Sequence, residues 1–140
     1  MERNDLNRFL EAQEEDYDIA LREIKEGRKR SHWMWYIFPQ MVGLGYSSMA
    51  KRYGIKDLKE AEAYLQHPVL GVRLIEISRE LLKLQEQNPT QILGTPDDMK
   101  LHSSMTLFSS VPGADEVFEE VLAKFFAGRK DRQTLQLIGR

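Results

Sequence analysis

The chain has 140 residues, no cysteine, 30% charged residues and a formal net charge of −2. That length suits one domain with its own core, and the missing cysteines exclude disulfides, thiolate metal sites and cysteine nucleophiles. The near-balanced charge argues against a general nucleic-acid binder. The opening MERNDLNRFLEAQEED has no apolar signal core, and no run approaches the roughly 18 apolar residues of a membrane span, so a cytoplasmic protein without a membrane partner is expected.

Helical periodicity dominates along the chain. Asn4 or Asp5 is placed to cap a first helix carrying Leu6, Phe9 and Leu10, continued by Tyr17, Ala20, Leu21 and Ile24 and closed at Gly27. Ser31 is placed to cap a helix over 32–38 that Pro39 stops, although the short apolar run 35–38 also fits a strand. Gly43-Leu44-Gly45 reads as a loop, and Ser47 or Ser48 opens a short turn ending near Gly54. Asp57 and Glu60 have the capping-box spacing and start a helix with Leu58, Ala61 and Leu65. His67-Pro68 breaks it. Val69, Leu70, Leu74, Ile77, Leu81 and Leu84 mark a long helix to about Gln87, ended by Asn88-Pro89. Thr90 is placed to cap a turn through Leu93. Pro96 or Asp97 opens a helix with Leu101, Met105 and Phe108 on its buried face. Beyond Pro112-Gly113, a stripe of Val117, Phe118, Val121, Leu122, Phe125 and Phe126 closes at Gly128. Asp131 begins a last short helix with Leu135 and Ile138. The expected fold is a compact all-α single domain over 1–140. It has about seven or eight helices of unequal length and is not a regular four-helix bundle.

The charge is unevenly spread. Residues 27–56 hold six bases, no acid and both tryptophans, whereas 1–26 carry a charge of −5 and 57–140 a charge of −3. A basic, aromatic segment suits recognition of an anion or a flat ring. Arg28, Lys29 and Arg30 suit charge-assisted bonds to phosphate or carboxylate, beside the amides of a Ser31-capped helix. Trp33 or Trp35 suits stacking on a ring. The same aromatics equally suit core packing with solvated bases, and His32 equally suits a buried, backbone-bonded ring. Gly43 and Gly45, followed by Ser47 and Ser48, fit an anion nest or simply a tight turn. Neither a dinucleotide fingerprint nor a phosphate-binding P-loop is present.

Residues 96–108 place Asp97, Lys100 and Ser104 on one side of a helix, with Asp98 and His102 as neighbours four apart. A lysine beside an acid and a hydroxyl suits positioning a polar ligand or poising a proton transfer. Ser103 or Ser104 as a nucleophile needs a base, and Lys100 is the local one for Ser104. A surface Asp–Lys pair near a helix start reads equally well. The histidines at 32, 67 and 102 lack metal-binding spacing, so no metal and no cofactor is expected.

The blocks SHWMWYIFPQ, GLG-x-S-x-x-A-x-x-Y-x-I, EA-x-x-Y-L-x-HP-x-L-G-x-RL, D-x-x-K-x-x-SSMTLF and FF-x-G-x-x-D-x-x-TL span roughly residues 5–138. They resemble a family of small bacterial domains of unknown function (domain of unknown function eighteen-ten). Some members carry a calpastatin label. The resemblance implies a compact all-α domain and no particular activity. The label does not suit this chain, because such an inhibitor is a disordered repeat and this sequence has a dense apolar pattern. The family blocks carry polar residues beyond the needs of a core, namely Ser31, His32, Gln40, Ser47, Tyr53, His67, Asp97 or Asp98, Lys100, Ser103 and Ser104. Asp97, Lys100 and Met105, with Phe118 or Phe125, are also similar to one segment of all-α enzymes that cleave N-glycosidic bonds in ribosylated metabolites. The Glu-His-Tyr-Phe-Gln catalytic block of those enzymes has no counterpart here.

Three functional expectations follow. The first is a site for a small anionic, phosphorylated or ribosylated nucleotide-type ligand, with or without N-glycosidase-like hydrolysis. Its floor is residues 28–54 and its wall runs from Asp97 to Ser104. In the N-glycosidase case, an acid activates water, Lys100 or an arginine anchors the phosphate and a tryptophan sandwiches the base. It requires His32, Trp35, Lys100 and Ser104 to converge. The second is an interaction module or homodimer using 27–56. The third, ranked last, is a nucleic-acid adaptor using Arg28, Lys29, Arg30, Lys51 and Arg52.

Overall fold

A computed structural model describes residues 6–140. Nine helices follow one another among these residues: α1 (Asn7–Glu26), α2 (Met34–Ile37), α3 (Ser48–Arg52), α4 (Leu58–Gln66), α5 (Leu70–Lys83), α6 (Pro89–Leu93), α7 (Asp97–Ser109), α8 (Val117–Phe126) and α9 (Arg132–Leu137). The turns read near 47–54 and 90–93 are one-turn helices, which brings the number to nine. There is no strand among the described residues, and 35–38 belongs to the turn of α2. An isolated parallel bridge joins Met41 to Ile55. None of the described helices is long and apolar enough to cross a membrane.

Helices α5 and α7 have the most helix neighbours. Helix α5 packs against α1, α4 and α8, and α7 packs against α4, α6, α8 and α9. Because neighbours surround α7, its buried residues form no single stripe: Leu101, Ser103, Ser104, Met105, Thr106, Leu107 and Phe108 are all covered. Helix α5 keeps the ordinary one-sided pattern through Leu70, Leu74, Ile77 and Leu81. Tyr64 packs edge-on against Phe9 at 5.1 Å and tilted against Phe108 at 5.3 Å, which ties α1, α4 and α7 together.

Most helix ends follow from local chemistry. Left-handed Gly27 closes α1, with the amides of Gly27 and Arg28 donating to the carbonyls of Ile24 and Glu23. Ser47, Asp57 and Asp131 cap α3, α4 and α9 by accepting from Ala50, Glu60 and Thr134 amides. Three expectations need correction. Ser31 does not cap α2: Trp33 stands at that position without a side-chain bond, and Ser31 turns to Glu23 instead. Asn88, not Thr90, caps α6 by accepting from the Thr90 amide at 2.9 Å. Helix α5 stops at Lys83 rather than near Gln87, where the Lys124 ammonium donates to the carbonyls of Leu81, Leu82 and Leu84. The proposed caps Asn4 and Asp5 lie outside the described residues.

Candidate functional site

The basic loop after α1 already holds an anion, and it comes from within the chain. Glu23 Oε1 accepts from the amides of Arg30 (2.8 Å) and Ser31 (3.0 Å) and from the Trp33 indole (2.9 Å). Its Oε2 accepts from the Ser31 hydroxyl at 2.6 Å. Burial alone would raise the Glu23 pKa, but bonds from the Ser31 hydroxyl, the Arg30 amide and the Trp33 indole outweigh it and hold the carboxyl down to about 2. Trp33 is 1% exposed and therefore a core residue. Arg30 pairs with Glu26 at 2.6 Å, His32 is exposed, and Arg28 lines a separate shallow groove with residues 90–94. Arg28, Arg30, Ser31, His32 and Trp33, all expected as ligand contacts, thus do not join one cavity.

A short ionic relay links that loop to α7. Lys29 Nζ lies 2.8 Å from Asp97 Oδ2 and 2.5 Å from the Ser31 carbonyl oxygen. It also sits over the Trp33 ring at 5.1 Å. Lys100 Nζ lies 3.5 Å from Asp97 Oδ1 and 4.7 Å above the Trp35 ring. Two ammonium groups therefore share one carboxylate, and each covers the face of one tryptophan. Asp97 acts as the counter-ion that places Lys100, which leaves it committed to two cations rather than free as an acid or base.

Lys100 and Trp35 open onto a cleft of about 340 Å³. One wall is the 40–47 loop and the start of α3, contributing Gln40, Leu44, Gly45, Tyr46, Ser47 and Ala50. The other is the outer side of α7, with Pro96, Met99, Lys100, His102 and Ser103, joined by Asp131 and Gln133 from the start of α9. The loop is held from below, where the Val42 amide donates to Ile55 and the Ile55 amide to Gln40, each at 2.9 Å. Tyr46 and Met99 stand at the rim, 86% and 65% exposed. Beneath lies a space of about 10 Å³ bordered by Trp35, Phe38, Gln40, Tyr53 and Lys100, about enough for one water.

Two further side chains in the cleft have fixed roles. His102 Nε2 is 2.8 Å from the Arg129 carbonyl oxygen. A carbonyl only accepts, so the neutral ring carries its proton on Nε2 and keeps its lone pair on Nδ1. Stacking on Phe126, with centroids 4.3 Å apart and planes 12° apart, fixes the ring. Asp131 Oδ2 accepts from the Ser103 hydroxyl (3.2 Å), the Thr134 amide (3.1 Å) and the Thr134 hydroxyl (2.5 Å). Ser104 is fully buried, borders no described cavity, and its hydroxyl has no partner among the described residues. Among those residues no group of acids and histidines could hold a metal ion.

With this geometry in hand, the chain can be set beside known proteins. The model of the family described as "Protein of unknown function (DUF1810)" matches residues 3–138. The chain belongs to that family. A similar solved structure is the crystal structure of the conserved hypothetical protein Rv1873 from Mycobacterium tuberculosis. It is 48% identical, with 97% of each chain covered and a TM-score of 0.94. No curated protein matches. Membership of the DUF1810 family accounts for the all-α fold and leaves the cleft to be read from its own chemistry.

Of the residues expected at a site in this DUF1810 chain, Trp35, Gln40, Ser47, Lys100 and Ser103 line the cleft and Tyr53 borders the space beneath it. Asp97 stands behind Lys100. Of the four required to converge, Trp35 and Lys100 do so, whereas His32 is exposed elsewhere and Ser104 is sealed in the core, so the four-residue site expected from sequence is not formed. Sequence reasoning passed over His102 and Asp131. Asp131 sits in a family block but was read as a cap, which it also is. His102 was read as the partner of Asp98, yet Asp98 accepts from the Thr90 hydroxyl at 2.6 Å and His102 turns to a carbonyl on the loop after α8.

Proposed function

We propose that the cleft binds a small ligand whose anionic group, phosphate or carboxylate, faces Lys100 and whose flat or apolar part lies against Trp35 and Tyr46. One observation carries this reading: Lys100 is a largely covered ammonium on a cleft wall that has only a shared counter-ion. Such a cation gains from a second anion far more than a solvated surface lysine does. Lys100 also covers one face of Trp35, which fixes the indole as part of the wall. The volume of about 340 Å³ lies at the small end of ligand pockets and suits a sugar phosphate or mononucleotide. The reading is one of binding. Ser104 is not assigned a nucleophile's role, because no substrate reaches a fully buried hydroxyl.

Tryptophan emission tests it directly. Trp33 is buried with its indole N–H on Glu23, so a ligand in the cleft perturbs Trp35 and leaves Trp33 as background. Titration with nucleoside monophosphates, ADP-ribose, nicotinamide nucleotides and sugar phosphates is expected to give a saturable change for at least one member. That change vanishes in Trp35→Phe, and the affinity falls about tenfold or more in Lys100→Met. A panel without response, or a Lys100→Met variant that binds as well as the parent, overturns the reading.

A further inference from the structure

We infer that the same cleft holds a second subsite, centred on His102 and Asp131, that recognises hydroxyl groups, so that the ligand is a phosphorylated sugar rather than a bare anion. This rests on the anion reading for Lys100 and adds to it. The argument is an inventory of donors and acceptors. The Nε2 proton of His102 is spent on the Arg129 carbonyl, so the atom the ring has left for a ligand is Nδ1, an acceptor in the Nε2–H tautomer. Asp131 takes three protein donors on Oδ2, and Oδ1 accepts none among the described residues. Two acceptors in one cleft are therefore left to solvent or to the donors of a ligand.

The other polar groups on the walls narrow the class. The hydroxyl oxygen of Ser47 accepts from the Ala50 amide at 3.1 Å, which leaves its own proton to donate. Gln40 and Gln133 line the cleft, and their side-chain amides make no bond within the described residues, so each offers donors and an acceptor. A ligand ammonium could satisfy His102 and Asp131 but has nothing to accept from Ser47 or the glutamines. Sugar hydroxyls donate and accept at once and match the whole set. Together with Lys100 for a phosphate, these groups describe the recognition elements of a phosphosugar, alone or as part of a nucleotide.

The experiment compares binding of inorganic phosphate, ribose 5-phosphate, 2-deoxyribose 5-phosphate and O-phosphoserine by calorimetry. It uses the parent, Asp131→Asn, His102→Phe and Lys100→Met. Asparagine caps a helix as well as aspartate and keeps an acceptor for Ser103 and Thr134, so Asp131→Asn is expected to fold, which its thermal melt checks. The expected result is that ribose 5-phosphate binds at least about tenfold tighter than phosphate. His102→Phe and Asp131→Asn are each expected to narrow that advantage, the second less because the asparagine amide can still bond a hydroxyl, while Lys100→Met weakens every probe. Equal affinity for phosphate and ribose 5-phosphate, an advantage that neither substitution narrows, or a preference for O-phosphoserine overturns the hydroxyl subsite while the anion site stands. No binding of any probe removes both.

Discussion

Glu23 sits on the last turn of α1, and its carboxylate decides what the basic loop does. Four donors converge on it, two of them backbone amides with no other partner in the helices. Removing the acceptor leaves covered donors unpaired, so Glu23→Ala is expected to lose about 3 kcal/mol or more of stability in urea unfolding, well beyond an average surface change. The pH dependence has a definite sign. The folded pKa, about 2, lies below the ordinary 4.5, so this carboxylate contributes its full stability above the ordinary value. The contribution is lost as pH falls toward about 2. Chemical denaturation through that window should show a steeper acid loss in the parent than in Glu23→Gln, and equal slopes would refute the assignment. The same residue explains why Ser31 and Trp33 were misread from sequence. Both belong to a motif suited to an anion, but the anion lies eight and ten residues back, and the turn at Gly27 brings it round. Composition showed a hungry cationic loop and had no means of showing that it was already fed.

At the level of elements, the helices with a one-sided apolar stripe were plain in the sequence, because α1, α5 and α8 each bury one face against a neighbour. Helix α7 was placed correctly by its proline and acids, but the face carrying its functional side chains was not, since a helix covered all round gives no periodic signal of which polar residue looks outward. Ser104 and Ser103 are adjacent in sequence, yet one is sealed in the core and the other meets Asp131 in the cleft. Two glycines separate fold from site. A Cβ at Gly71 would lie 2.0 Å from the Leu65 carbonyl oxygen, where α4 and α5 touch. One at Gly54 would lie 2.7 Å from Val42 Cα and 2.9 Å from the Ala50 carbonyl oxygen, beneath the loop that walls the cleft. Both contacts involve backbone and cannot be relieved by a rotamer change. Gly71→Ala is expected to lower stability by about 2 kcal/mol or more while its folded fraction keeps the parent's ligand affinity. Gly54→Ala should shift the 40–47 loop and weaken binding at least severalfold even where the protein remains folded. Thermal melts paired with titration distinguish the two, and unchanged affinity in folded Gly54→Ala would separate the loop from the site.

Over the whole molecule, none of the six bases of residues 27–56 lines the cleft. Lys29 is paired with Asp97 and Arg30 with Glu26. The Arg52 guanidinium lies over the Tyr53 ring at 5.5 Å. A charge count along the chain is one-dimensional, whereas the fold sets acids from α1 and α7 against the basic stretch. An anion entering the cleft therefore meets one ammonium, not a row of them. That difference is measurable through salt. A ligand held by a single ion pair releases about one counterion, so a plot of log affinity against log salt should have a slope no steeper than about −1, whereas a surface following several phosphates multiplies that slope. Binding should also report on the fold. A ligand at 100 times its Kd adds about 2.7 kcal/mol to the native state, which raises the Tm of a domain of this size by several degrees. The expected combination is a thermal shift from a phosphosugar with a shallow salt slope, and no shift from an oligonucleotide at about 0.15 M salt, where exposed charges are screened beyond roughly 8 Å. A steep slope together with stabilisation by oligonucleotides would move the function from the cleft to the surface and restore the basic segment as its carrier.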